Sequence, residues 1–191
     1  MKKWLFHPFV YVAGAKSLVI GFAVMLLTAF VCSYSHTHFD GVIDAHTGCI
    51  TPLYIYYAEP FINWACLTLL FYPAGLIFSR SAIRVIDVAG TLALARWPLL
   101  FYAVIGFGLN PTGVDGHSDL NSLLAHITGP MIALAVFGSI FIIWMVVLLY
   151  NAVAVSCNIK GGKAISVFIA GLIIAEGLSK LIFHLLYMHS I

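Results

Sequence analysis

The sequence predicts an all-helical, polytopic membrane protein, a bundle of five transmembrane helices. Three observations carry that prediction. The 191 residues are 62% apolar and only 8% charged, whereas about a quarter of the residues of a soluble domain are charged. Five apolar runs each come close to the roughly 20 residues that a helix needs to cross a hydrocarbon core about 30 Å thick. Lys and Arg fall in alternate connections between those runs, as expected for short loops kept on the cytoplasmic side.

The first expected span, Ser17 to Tyr34, follows Lys2, Lys3 and Lys16. An aromatic segment, Trp4 to Tyr11, separates the basic N-terminus from the apolar run, and no small-x-small cleavage site follows. These features favour an uncleaved span over a signal peptide. It is the shortest of the five, and snorkelling of Lys16 would let it begin earlier. The second, Pro60 to Phe78, is separated from the third, Val85 to Leu109, by Arg80 and Arg84. The fourth, Ile127 to Val155, is longer than a perpendicular crossing requires and can tilt. Lys160 and Lys163 separate it from the fifth, Ala164 to Met188. The other two connections contain neither Lys nor Arg. This bias places the N-terminus in the cytoplasm and the C-terminus, near His189, on the periplasmic side.

No tandem repeat, heptad or low-complexity tract divides residues 1–191, which read as one transmembrane domain. Five spans also disfavour the equal inverted repeats of a two-halved transporter. The net charge of +2 and the scattered basic residues exclude a nucleic-acid partner. Cys32, Cys49, Cys66 and Cys157 show no metal-binding spacing and read as small packing residues. A disulfide between Cys32 and Cys49, on the outer side, stays open.

Chemistry-bearing residues concentrate in two places. In the first outer connection, His36, His38, Asp40, Asp44 and His46 fall within eleven residues. Imidazole and carboxylate are the ligands that a divalent transition metal such as Zn accepts. A metal site would use Asp40, Asp44 and His46, with help from His38, His117 or His126. The spacing matches no standard metal motif. The competing reading is a solvated interfacial loop in which Asp and Gly make turns. Ser118 between His117 and Asp119 does not suggest a nucleophilic triad, because adjacent loop side chains seldom converge. Arg96-Trp97-Pro98 lacks the companions of a phosphoryl-transfer site. Tyr54, Tyr56, Tyr57, Trp64 and Tyr187 read largely as interfacial anchors.

The second constellation is intramembrane. Glu176, Lys180 and His184 recur every four residues along the fifth span and share a face. Ionisable groups at such depth face the bundle interior or water and pair with one another. Arg84, Asp87 and Thr91 form a comparable stripe on the third span, with Arg96 near its middle. Matching depths pairs Arg96 with Glu176, and Lys180 with an outer-loop carboxylate. Gly171, Ala175 and Ser179 beside the fifth-span stripe would let another helix approach closely.

Three segments together carry a resemblance: Phe6 to Phe9, Phe39-Asp40-Gly41-Val42-Ile43-Asp44-Ala45-His46, and Ser81 to Thr91 running on to Ala95-Arg96-Trp97-Pro98. The chain resembles the bacterial branch of the Yip1-domain family of integral membrane proteins along its whole length. That resemblance implies a five-helix membrane domain, in a bacterial inner membrane, with Asp40, Asp44, His46, Arg84, Asp87 and Arg96 as the motif positions. Eukaryotic members are associated with small GTPases, partly through a long cytosolic N-terminal region. Only about sixteen residues precede the first span here, so small-GTPase binding is not carried over.

The expected role is a non-enzymatic scaffold or channel-like module whose polar interior is built from the third and fifth spans. The alternative is a metal-dependent hydrolase or divalent-metal transporter using the outer Asp/His loop. The lipid bilayer is the expected partner, and a homo-oligomer or a membrane-protein partner stays open.

Overall fold

Apolar sequence of this length forms helices because a backbone in hydrocarbon must satisfy its own polar groups. The computed structural model of the chain describes residues 5–48, 50–79, 81–109 and 128–188. After a single 3-10 turn at Pro8–Val10, the first long helix, α1, runs Ala15–Ser35. Gly14 precedes it at φ 65°. It is closed by His36 in the left-handed region, whose N–H bonds the Cys32 carbonyl.

Helix α2 covers Leu53–Phe78 and so begins well before the expected start at Pro60. Tyr54, Tyr56, Tyr57 and Glu59 lower the hydropathy of its first two turns without lowering their ability to be helical. Pro60 and Pro73 both lie inside the helix. The third span is two helices, α3 at Val85–Ala95 and α4 at Leu99–Leu109. Between them Pro98 supplies no N–H and disfavours helical backbone at Trp97. The Leu99 N–H bonds Arg96 O at 3.0 Å across this break.

Helices α5, Gly129–Ser156, and α6, Gly161–Met188, complete the bundle. The expected start of α5 at Ile127 lies outside the described residues. Helix α6 starts at Gly161, where Lys163 in the first turn reaches back to Phe78 O at 3.0 Å. Among the described residues, five stretches are long and apolar enough to cross a membrane, with α3 and α4 counted as one. Their outward faces are apolar, Val19, Ile77, Ile143 and Ile173 among them.

Packing is uneven around the bundle. α1 lies against α2, α3 and α4, α5 against α3 and α4, and α6 chiefly against α2. The α1–α3 backbones approach so closely that a Cβ on Gly21 would fall 2.6 Å from Leu94 N. The stripe of Gly171, Ala175 and Ser179 on α6 also makes a close approach, but to α2: a Cβ at Gly171 would meet the Phe71 ring at 2.5 Å. The expected interior between the third and fifth spans is therefore corrected. α6 has no extensive packing with α3 or α4, because a loop occupies the space between them.

That loop is the connection between α1 and α2. β1, Thr37–His38, and β2, His46–Thr47, pair antiparallel with Thr37 opposite Thr47 and His38 opposite His46. The residues between them turn into the bundle, leaving Phe39 2% and Val42 1% exposed. A solvated interfacial loop, the simpler expectation, is thus overturned. Arg96, which touches this loop, lies about 16 Å along the third span, and Glu176 about 22 Å along α6. Both are near the middle of their helices, so the loop re-enters the bundle to mid-height.

Candidate functional site at the re-entrant loop

Non-helical backbone at membrane depth survives only where protein or enclosed water satisfies its polar groups. Here side chains from α2, the third span and α6 do so. Glu59 and Asn63 stand one helical turn apart on α2, on the same face. The Phe39 N–H donates to Glu59 Oε2 at 2.8 Å, and Asn63 Nδ2 donates to Phe39 O at 2.6 Å. Both polar groups of one loop residue are thereby satisfied by one helix. Glu59 is 1% exposed. Its Oε1 also meets His38 Nδ1 at 2.6 Å and accepts the Tyr187 hydroxyl at 3.0 Å.

At the loop tip, Arg96 Nη1 donates to Val42 O at 3.4 Å, and the Ile43 N–H donates to Glu176 Oε2 at 2.9 Å. Val42 O and Ile43 N–H belong to one peptide group. Arg96 is 2% exposed, and its Nε and Nη2 make no hydrogen bond. The expected Arg96–Glu176 pair is therefore not a direct contact but one bridged by a peptide. Lys180 Nζ lies 2.5 Å from Asp44 Oδ2 and 3.7 Å from Glu176 Oε1, so the outer-loop carboxylate it meets is Asp44. The Tyr102 hydroxyl donates to Ala45 O at 3.4 Å.

Nearer the mouth, His46 Nδ1 is 3.3 Å from Asp40 Oδ1, with both side chains partly exposed. The facing imidazole holds the Asp40 carboxyl below its usual range, against the opposing effect of burial. The carboxylate in turn raises His46 above the ordinary imidazole value. The buried His38 ring stacks between His46, at 5.4 Å, and Tyr56, at 4.5 Å. A line of rings thus runs from the partly exposed His46 to the Glu59 carboxyl.

Among the described residues the proposed metal ligands do not assemble. Asp40 and His46 meet, but Asp44 turns to Lys180 and His38 to Glu59. No group of three His, Cys, Asp or Glu side chains is placed to hold a metal among the described residues. His117 and His126, like Ser118, Asp119 and Cys49, lie outside them. Cys32, Cys66 and Cys157 are free and buried.

Arg84 and Asp87 do not join the intramembrane network. They pair with each other at 2.8 Å at the start of α3, at the basic end of the bundle. Asp87 sits in the first turn of α3, where a carboxylate complements the helix dipole. The Thr91 hydroxyl donates to Asp87 O at 2.8 Å. His184 is exposed and takes part in none of these contacts.

Glu59, Asn63, Tyr102 and Tyr187 were not expected at the site. The signal for the first two was present: Glu59 is the sole acid between Asp44 and Asp87, and Asn63 follows it by one turn in an apolar helix.

Comparison with protein families, curated proteins and solved structures finds no match for this chain. Fold and site together define a class, a helical bundle with five stretches long and apolar enough to cross a membrane, whose re-entrant loop is held by ionisable side chains, the buried Glu59 and Arg96 among them.

Proposed function

We propose that the chain is a Yip1-like, non-enzymatic membrane protein that works as a channel-like module, with the segment from Phe39 to His46 as its plug. The observation that carries this reading is the Val42–Ile43 peptide held between Arg96 and Glu176. Withdrawing that segment would leave Glu59, Arg96, Glu176 and Lys180 lining a polar space between α6 and the third span. Intramembrane ionisable residues in such a place mark ion or proton pathways. By the positive-inside rule, the end carrying Lys16, Arg84, Lys160 and Lys163 faces the cytoplasm, and the loop opens toward the periplasm of a bacterial inner membrane.

The test is permeation through liposomes of the reconstituted protein, read by enclosed pH- and potassium-sensitive dyes. Wild type is expected to be tight, and the double variant Glu59→Gln, Asn63→Ala to leak. Hydrogen exchange at the Phe39 amide reports independently whether the segment has loosened. Liposomes that stay tight while that amide exchanges freely would leave a scaffold as the function.

A further inference from the structure

At the basic end, opposite the re-entrant loop, a cavity of about 410 Å³ opens between α2 and α6. Leu70, Ala74 and Phe78 of α2 and Ala170 and Ile174 of α6 form its walls. Its floor closes where the Phe71 ring lies against Gly171, too near for a Cβ, and stacks on Phe168 at 5.8 Å. Among the described residues the wall is otherwise hydrocarbon apart from the Ser166 hydroxyl, and Lys163 stands at its end. The Lys163 ammonium donates to Phe78 O at 3.0 Å and lies 5.2 Å from the centre of the Phe78 ring. An ammonium carries three donors, so the carbonyl leaves capacity for an anion's oxygens.

The surrounding charge favours an anion. Lys160 lies three residues before Lys163, just ahead of α6. Basic pockets between membrane helices bind anionic headgroups in this way. We propose that this groove is a binding site for one anionic phospholipid, its acyl chain along Leu70, Ala74 and Ala170 and its phosphate on Lys163. A zwitterionic lipid offers the same chain without the net charge. The site is separate from the re-entrant loop and does not depend on the channel reading.

Native mass spectrometry of the detergent-purified chain, titrated with phosphatidylglycerol or phosphatidylcholine of identical chains, tests it. One phosphatidylglycerol is expected to stay bound where phosphatidylcholine does not. Lys163→Gln should weaken retention about fivefold, the effect of one cation near an anionic lipid. Ala170→Phe, at an exposed position, should weaken it at least as much by filling the groove. Lys16→Gln is the matched control, because Lys16 ends another apolar face beside Val19 and Ile20; it should change nothing. Equal retention of phosphatidylcholine, wild-type retention in either groove variant, or an equal loss in Lys16→Gln would each overturn the proposal.

Discussion

Arg96 and Glu176 grip the two edges of one peptide group, the guanidinium at Val42 O and the carboxylate at the Ile43 N–H. The helices that carry them do not pack extensively on each other, so the loop, alongside α2, links the third span to α6. A buried cation and a partly buried anion separated by a peptide still attract each other where the local dielectric is below that of water. Their mutual stabilisation also depends on that peptide staying in place.

Glu176→Gln tests this link, because glutamine can still accept from Ile43 but carries no charge to offset Arg96. We expect a loss of about 1–3 kcal/mol, the usual cost of leaving a buried polar group poorly compensated. Combining it with Arg96→Met should cost less than the sum of the two single changes, since the second removes the charge that the first strands. Denaturant unfolding in detergent supplies the cycle, and strict additivity would show that the two residues do not cooperate.

Gly41 reports on how tightly the loop fits. A Cβ there would fall on Glu176 Oε1 at 2.3 Å and on Asp44 Cβ at 2.9 Å. Gly41→Ala should therefore destabilise by about 1–3 kcal/mol through overpacking. Gly177→Ala, one residue beyond Glu176 with no atom within 4 Å of its added Cβ, should gain up to about 1 kcal/mol from helix propensity. The two thermal midpoints should move in opposite directions. A neutral Gly41→Ala would mean that the loop yields at no cost.

The bundle was legible in the sequence, and the site was so only in part. Span number and sidedness of charge follow from hydropathy and Lys/Arg placement, which depend on local composition alone. The pairing of Lys180 with an outer-loop carboxylate followed from depth and sign. The position of the loop did not, because its Asp and His residues are those of a solvated turn. What draws the loop inward is acceptors and donors on other elements: Glu59 and Asn63 on α2, Arg96 at the Pro98 break, Glu176 on α6. A period-based reading sees each of these only as an isolated exception in an apolar run. Arg84 and Asp87 were misplaced for the converse reason. Spacing put them in line with Arg96, but their short-range pair at the α3 N-terminus had no need of burial.

Glu59 accepts from Phe39 and Tyr187 and meets His38, and its loss should be severe. Glu59→Leu would strand the Phe39 N–H and take one hydrogen bond each from His38 and the Tyr187 hydroxyl. At about 1–3 kcal/mol for the stranded amide and about 0.5–1.5 kcal/mol for each lost bond, the change should abolish a stably seated loop. Tyr187→Phe removes a single donor and should cost only about 0.5–1.5 kcal/mol. Exchange of the Phe39 amide separates the cases: fast in Glu59→Leu, close to wild type in Tyr187→Phe. Slow exchange in Glu59→Leu would mean that another group holds the loop.

The Asp40–His46 pair makes the mouth sensitive to pH. Asp40, held down by His46, contributes stability that is present above its unfolded value of 3.8 and is lost as pH falls through its lower folded value. His46, raised by Asp40 and further by Glu59 and Asp44, contributes stability fully present below 6.5 that is lost as pH rises through its higher folded value. Lys180 and the stacked His38 face the same pair. The contact is thus fully formed between about pH 4 and 6.5 and fades on the alkaline side first in the physiological range. Both side chains are partly exposed, so the stability at stake is of surface size, about 0.2–1 kcal/mol. An NMR titration of the His46 ring should give a midpoint above 6.5 that falls back in Asp40→Asn. The same midpoint in both proteins would place the cause of the shift outside the pair.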